Sequence, residues 1–173
     1  IKIIIKLQNI KLQKNYRLGK FKINFQNYSI KNLHKESDLF FDWYLKYCLK
    51  SSKQKKIKDI IKNELTKIYK KLYFQNDTFV HRDFHASNIM VNKNKFGLID
   101  SQDAIIGNPL YDVASLIDDV RIKLSPNLQA KLLNFYYHNS KFKKEEYKNL
   151  KNDFDILSVQ RNLKILGIFV RLF

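Results

Sequence analysis

The chain has 173 residues, of which 45% are hydrophobic and 14% aromatic, so it suits one folded domain and is not intrinsically disordered. It lacks the roughly 18 consecutive apolar residues of a transmembrane helix, and its single cysteine excludes an internal disulfide framework and a cysteine zinc cluster. The net charge of +17 rests on lysine far more than on arginine. We therefore interpret it as solvated surface and predict no nucleic-acid partner and no membrane association.

Residues 1–35 are predicted to be a connector, because Ile3-Ile4-Ile5 fits either a short strand or a short helix and a polar stretch follows. The chain does not begin with Met and ends within an apolar helical pattern. We therefore expect a piece of a longer protein whose N-terminal lobe lies upstream. Residues 36–173 are predicted to form the catalytic lobe, truncated at its C-terminus, of a cytoplasmic protein.

Apolar residues then recur at a helical period and predict two helices, Leu33–Leu49 and Lys53–Tyr73. Phe40, Trp43 and Tyr44 fall on the face of the first helix that we expect to be buried. Further along, Asn108-Pro109 and Ser125-Pro126 are typical helix starts. They predict helices over 110–124 and from 126 to about 138, and a last helix runs from about 144 to the end.

Three short β-prone runs lie between these helical regions, at 78–80, 89–91 and 96–99. The polar stretch 92–95 predicts that the second and third runs form a hairpin. Asn88 enters this hairpin and Asp100 leaves it, so antiparallel pairing would bring the two residues to neighbouring positions. The fold class is predicted to be α+β, mostly helical with one small hairpin.

The sequence HRDFHASN at residues 81–88 has the spacing of a phosphoryl-transfer site. In kinase-like sites the Asp of His-Arg-Asp accepts the proton of the attacking hydroxyl, and an Asn five residues later binds Mg²⁺. Asp83 and Asn88 match these positions. Asp100, at the end of the hairpin, matches the second metal ligand.

The segment resembles the aminoglycoside phosphotransferase and choline kinase superfamily, whose fold is like that of protein kinases. His85 matches a second histidine of that family's loop, and GNPLYD at 107–112 matches its Gly-x-Pro-x-x-Asp pattern. The resemblance implies that Asp83 is the catalytic base and that Asn88 and Asp100 bind Mg²⁺. It implies that His81, His85 and Asp112 brace the loop, and that ATP is the phosphate donor.

A narrower resemblance, over residues 36 to 173, is to bacterial N-acetylmuramate/N-acetylglucosamine anomeric sugar kinases. It rests on FDWYL at 41–45, DSQDA at 100–104, DDVR at 118–121 and QRNLK at 160–164. It implies a small-molecule hydroxyl acceptor, a sugar, phosphorylated during cell-wall recycling. Ser101 departs from the aromatic residue that is usual after the metal Asp.

Four polar residues are candidates for binding the acceptor: Gln102, Asp103, Arg121 and Arg161. Three of them have an alternative interpretation. Asp103 fits a loop acid that bonds its own backbone. The arginines fit salt bridges to Asp118, Asp119 or Asp155.

The phosphate-gripping elements of such kinases are not identifiable in the sequence, since only Gly19 among the glycines precedes Asp83. Lys6 only faintly resembles the strand lysine. We therefore expect the 173 residues alone to be nearly inactive. The alternatives to an amino-sugar kinase are an aminoglycoside or choline-type kinase and an inactive, basic kinase-like binding module. No motif indicates an oligomeric state.

Overall fold

The computed structural model describes residues 1–13, 16–93 and 95–173. The helices are α1 (Lys2–Gln8), α2 (Ile30–Leu39), α3 (Lys46–Cys48), α4 (Ser51–Tyr69), α5 (Leu110–Ile117), α6 (Pro126–Asn139) and α7 (Tyr147–Leu172). The strands are β1 (Tyr16–Leu18), β2 (Phe21–Ile23), β3 (Thr78–Val80), β4 (Ile89–Asn92), β5 (Lys95–Leu98) and β6 (Ile105–Gly107). This mixture confirms the predicted α+β class. Among the described residues, no helix is both long enough and apolar enough to cross a membrane.

The strands form three separate antiparallel pairs, β1–β2, β3–β6 and β4–β5. The β4–β5 pair confirms the predicted hairpin, with Ile89 opposite Leu98 and Asn92 opposite Lys95. In the β3–β6 pair, Val80 lies opposite Ile105. This register fixes the point at which the chain leaves β3 and enters the loop at residues 81–88.

Two helices carry most of the core beneath this loop. Nearly every residue of α5 is buried, including Tyr111 and Val113, and α7 contributes Leu150 and Leu157, both fully buried. Burial of each such side chain stabilises the fold by roughly 1.5–3 kcal/mol. The loop therefore rests on a rigid, apolar support.

The contact between α7 and the end of α2 depends on Gly167. A Cβ atom at Gly167 would overlap the backbone carbonyl of Leu39 and approach the backbone nitrogen of Phe40 within 2.6 Å. The chain continues from Leu39 as a π-helix, Phe40–Leu45. Because a π-helix has more residues per turn than an α-helix, the faces assigned from an α-helical period shift.

That shift corrects the prediction that Trp43 belongs to the core, whereas Phe40 packs against the core as predicted. Trp43 is 42% exposed. Phe40 and Tyr44 are partly buried and stack on each other with ring centroids 5.2 Å apart. The fully buried aromatic residue of this segment is instead Phe41.

Residues 1–35 contain more regular structure than the predicted connector. Ile4 of α1 is 1% exposed, and Gln8 donates a hydrogen bond to the carbonyl of Pro109 at 2.7 Å. The predicted boundary between residues 35 and 36 falls inside α2. The division into a connector and a catalytic lobe stays a prediction.

The bounds of two predicted helices require correction. The helix predicted over 110–124 ends at Ile117, because Asp118 leaves the helical conformation and Asp119 turns its carboxylate toward Arg121. The helix predicted over 53–73 runs instead from Ser51 to Tyr69. Ser125 caps α6 as predicted, by accepting a hydrogen bond from the backbone N–H of Leu128.

Candidate active site

The loop at residues 81–88 begins directly after β3 and is held by hydrogen bonds to α5. The Asp112 carboxylate accepts hydrogen bonds from the backbone N–H groups of His81, at 2.7 Å, and Arg82, at 3.0 Å. Arg82 adopts a left-handed φ of 77°, a conformation that costs about 1 kcal/mol or more for a non-glycine residue. The two hydrogen bonds from Asp112 help to offset that cost.

Burial shifts the pKa values of the side chains that are predicted to brace this loop, Asp112, His81 and His85. Burial raises the pKa of the Asp112 carboxyl to about 6, while the two backbone N–H groups act in the opposite direction. His81 is fully buried, lies edge-on to Phe84, and has its pKa lowered by burial. The pKa of His85 is also lowered, first by burial and then by the charge of Arg121.

Asp83 and Asn88 lie at opposite ends of the loop and are linked directly. The Asn88 side-chain Nδ2 donates a hydrogen bond to the backbone oxygen of Asp83 at 2.9 Å. The same Nδ2 lies 3.5 Å from Nε2 of His85. Because its amide nitrogen is committed to this link, Asn88 presents Oδ1 as its remaining ligand atom.

Asp100 lies beside Asn88 because the hairpin closes at its open end. The Ile99 N–H donates to the Asn88 carbonyl at 3.1 Å, one step beyond the Ile89–Leu98 pair. Asp100 has a left-handed φ of 68°, which turns the chain sharply out of the hairpin. Gln102 donates a hydrogen bond to its Oδ1 at 2.6 Å.

The oxygen atoms at this edge fit Mg²⁺. Asn88 Oδ1 and the Asp100 carboxylate are hard donors of the kind that Mg²⁺ prefers, and Mg²⁺ sites usually complete their shell with water and phosphate oxygens. Across the described ranges, no group of three or more His, Cys, Asp or Glu side chains is arranged to hold a metal.

An apolar cavity of about 430 Å³ adjoins the loop and the hairpin. Its lining residues include Ile3, Phe84, Ile89, Phe96 and Leu116. Phe84 directly follows Asp83, and Ile89 directly follows Asn88.

The residues predicted to bind the acceptor have different surroundings. Gln102 and Asp103 are exposed in the loop after the hairpin, whereas Arg121 Nη1 pairs with Asp119 at 3.0 Å. Arg161 is only 4% exposed. Its Nη1 donates to the backbone oxygen of Arg82 at 3.2 Å, and its guanidinium lies over the ring of Tyr111. Their roles toward an acceptor stay predictions.

A buried polar cluster behind the loop is absent from the sequence-based predictions. Its centre is Glu36 of α2, which is 5% exposed. Oε1 of Glu36 pairs with Arg82 at 2.7 Å, and Oε2 accepts hydrogen bonds from Tyr28, Tyr111 and Gln160. One signal could have identified Glu36, since it lies three residues after buried Leu33 on the same helical face.

The Glu36 carboxylate is ionised despite its burial. Burial alone raises the pKa of Glu36, but Lys164, the hydrogen bond from Tyr28, Arg82 and Gln160 outweigh it and lower the pKa to about 2. Lys164 of α7 lies 3.5 Å from Glu36 Oε1 and 3.6 Å from Asp83 Oδ1. The cluster therefore connects directly to the predicted catalytic base.

Comparison with known proteins shows which sequences this chain resembles. The model of the phosphotransferase enzyme family (APH) matches residues 26–149. The N-acetylmuramate/N-acetylglucosamine kinase of Neisseria meningitidis serogroup B is 28% identical over 95% of this chain and 49% of its own length. The protein of the same name from Pseudomonas aeruginosa is 32% identical over 81% of this chain and 43% of its own length. The chain thus spans about half the length of the curated relatives it matches.

Proposed function

Because the chain belongs to the phosphotransferase enzyme family, we propose that it forms the catalytic part of a kinase that transfers the γ-phosphoryl group of ATP to a hydroxyl of an amino sugar. The observation that carries the proposal is the convergence of Asp83, Asn88 and Asp100. The Asn88 side chain bonds the backbone of Asp83, and the hairpin places Asp100 at the next position. The names of these relatives support N-acetylmuramate and N-acetylglucosamine as acceptors.

The proposed reaction assigns one task to each group. The Asp83 carboxylate takes the proton of the acceptor hydroxyl as its oxygen bonds to the γ-phosphorus. The bond between that phosphorus and its bridging oxygen breaks, and ADP leaves. Asn88 and Asp100 would hold Mg²⁺, which neutralises charge on the phosphates when bound. Asp112 and His81 keep the loop in its strained conformation throughout.

We also propose that these 173 residues are one half of a two-lobed enzyme. The support is that the chain spans 43–49% of the relatives' length and that no phosphate-gripping glycine loop was found in its sequence. The other half would supply the residues that cover the ATP phosphates. The 173-residue chain alone should therefore turn over slowly.

A coupled assay of ADP release tests the proposal. It compares the 173-residue chain with the full-length protein, each given Mg-ATP and one acceptor at a time. We expect the full-length protein to consume N-acetylmuramate and N-acetylglucosamine. Turnover of an aminoglycoside or choline instead would reassign the acceptor. No turnover of any of these acceptors would favour the inactive binding module, and rapid turnover by the 173-residue chain would contradict the two-lobed proposal.

A further inference from the structure

Lys164 is the side chain of α7 that reaches the predicted catalytic base. Its Nζ lies 3.6 Å from Asp83 Oδ1 and 3.5 Å from Glu36 Oε1, and its side chain is only 12% exposed. Burial alone lowers the pKa of Lys164, but Tyr111, Glu36 and Asp83 outweigh it and raise the pKa above its ordinary value. The ammonium group therefore stays charged between two carboxylates.

The second carboxylate, that of Glu36, is itself held in place by its hydrogen bonds and its ion pair with Arg82. It is contacted by two nitrogens of the Arg82 guanidinium, Nε and Nη2, and accepts hydrogen bonds from the hydroxyl groups of Tyr28 and Tyr111. A buried anion with this many partners has a single defined position. It is a rigid anchor on which Lys164 can be held.

The helix that carries Lys164 is equally well fixed. Gln160, one turn earlier on α7, donates to Glu36 Oε2 at 3.1 Å, and Arg161 donates to the backbone of Arg82. One turn later, Gly167 packs against the backbone of Leu39. Contacts one turn before and one turn after Lys164 thus fix the position of its backbone.

Asp83 lacks such restraint from its own loop. The hydrogen bond from Asn88 reaches its backbone oxygen, not its carboxylate, and its side chain is 30% exposed. Catalytic groups must be held within about 0.5 Å of their productive geometry. Lys164 supplies that restraint from outside the loop.

We infer that Lys164 is a positioning residue for the proposed reaction: it holds Oδ1 of Asp83 so that Oδ2 faces the acceptor hydroxyl, and Glu36 holds Lys164. This inference rests on the proposed function. It assigns a role to a residue outside the loop and hairpin. The ammonium group of Lys164 remains in place when Asp83 takes up the proton, because Glu36 still pairs with it.

Steady-state kinetics of the full-length protein with Mg-ATP and N-acetylmuramate test the role. Lys164→Met should lower kcat by about 100-fold, the cost of a misplaced catalytic group, with little change in the KM for ATP. Lys164→Arg keeps the charge and should recover most of the lost kcat. Lys151→Met is the matched control on the same helix, because Lys151 is exposed and pairs only with Asp155 in the described structure; its kcat should be unchanged.

If Lys164 had only a structural role, the variants would show a different pattern of kcat, KM and stability. Lys164→Gln removes the charge but keeps a polar, similarly sized side chain, so it serves if the Met variant does not fold. Unfolding by urea is measured on every variant. A folded neutral variant with wild-type kcat, or one in which the KM for ATP rises while kcat is unchanged, would overturn the inference and leave the proposed function standing. A wild-type protein without turnover would overturn both.

Discussion

The Asp112 carboxylate of α5 lies 2.7 Å from the backbone nitrogen of His81 and accepts its hydrogen bond. This contact joins a helix whose residues are nearly all buried to the first residue of the loop at 81–88. Because the second oxygen binds the N–H of Arg82, the carboxylate needs both of its acceptor atoms. A side chain with one acceptor would leave a buried donor unpaired.

Asp112→Asn should therefore lower the free energy of unfolding by about 1–3 kcal/mol, the usual penalty for an unpaired buried donor, and should disturb the loop. Urea unfolding of the 173-residue chain measures the first effect. Asp103→Asn, in the exposed loop after the hairpin, is the control and should change stability by less than about 0.5 kcal/mol. Equal stabilities of the two variants would refute the importance of this contact.

The proposed roles of Asp83 and Asp100 predict a separation between turnover and nucleotide binding. Asp83→Asn removes the base and spares the proposed metal ligands, so turnover should be abolished while Mg-ATP still binds. Asp100→Asn should weaken Mg-dependent binding of ATP itself. Isothermal titration of the full-length variants with ATP, with and without Mg²⁺, checks both. Equal affinity in the wild type and both variants would contradict the assignment.

Glu36 should make stability depend on pH in the acidic range. Its pKa is about 2 in the folded protein and 4.5 ordinarily, so the ionised group stabilises the fold fully above about pH 4.5. That stabilisation is lost as the pH falls toward 2, and the shift corresponds to about 3 kcal/mol. Glu36→Gln should thus be most destabilising near neutral pH, with the difference from wild type shrinking below pH 4.5.

Urea unfolding at a series of pH values measures this difference. Glu64→Gln is the matched control, because Glu64 is exposed and pairs with Lys67 on the surface of α4. We expect a small effect of that substitution at every pH. A constant difference between wild type and Glu36→Gln across the acidic range would argue against the ionised, buried carboxylate.

Gly167→Ala should destabilise the protein strongly. Alanine favours a helix over glycine by up to about 1 kcal/mol, but the added methyl group would overlap the backbone of Leu39. Relief requires α7 to move away from α2, and we expect a net loss of about 3 kcal/mol in the free energy of unfolding. Thermal unfolding provides the measurement.

Gly97→Ala is the control for this substitution. A Cβ atom at Gly97 would lie 3.8 Å from Cβ of Met90, an ordinary contact. The variant should be as stable as the wild type or slightly more stable. If both alanine variants unfolded at the same temperature, close helix packing at Gly167 would not explain its presence.

The hairpin and the helix starts were predictable because their signals are local. The polar stretch 92–95 between two short apolar runs specifies the turn, and Ser125-Pro126 specifies the start of α6. The family resemblance also rested on contiguous residues. It is confirmed by the family match over residues 26–149.

The features that sequence reasoning missed depend on contacts between distant segments. A π-helix follows Leu39, whose backbone lies against Gly167, so an α-helical period misplaced Trp43. Glu36 resembles any other charged helix residue until α2 and α7 face each other. Lys164 lies in QRNLK at 160–164, which carried part of the family resemblance, but the motif alone does not indicate that the lysine reaches Asp83 and Glu36.

The Glu36 cluster also has a consequence for how the protein folds. Its carboxylate joins partners 46, 75 and 124 positions away in the chain, namely Arg82, Tyr111 and Gln160. Contacts of such long range close large loops. The entropic cost of closing each loop is incurred before the contact contributes any stabilisation. We expect the helices and the hairpin to form early, and the catalytic loop to gain its native order only when α7 docks. The docking of α7 onto α2 would thus complete the site.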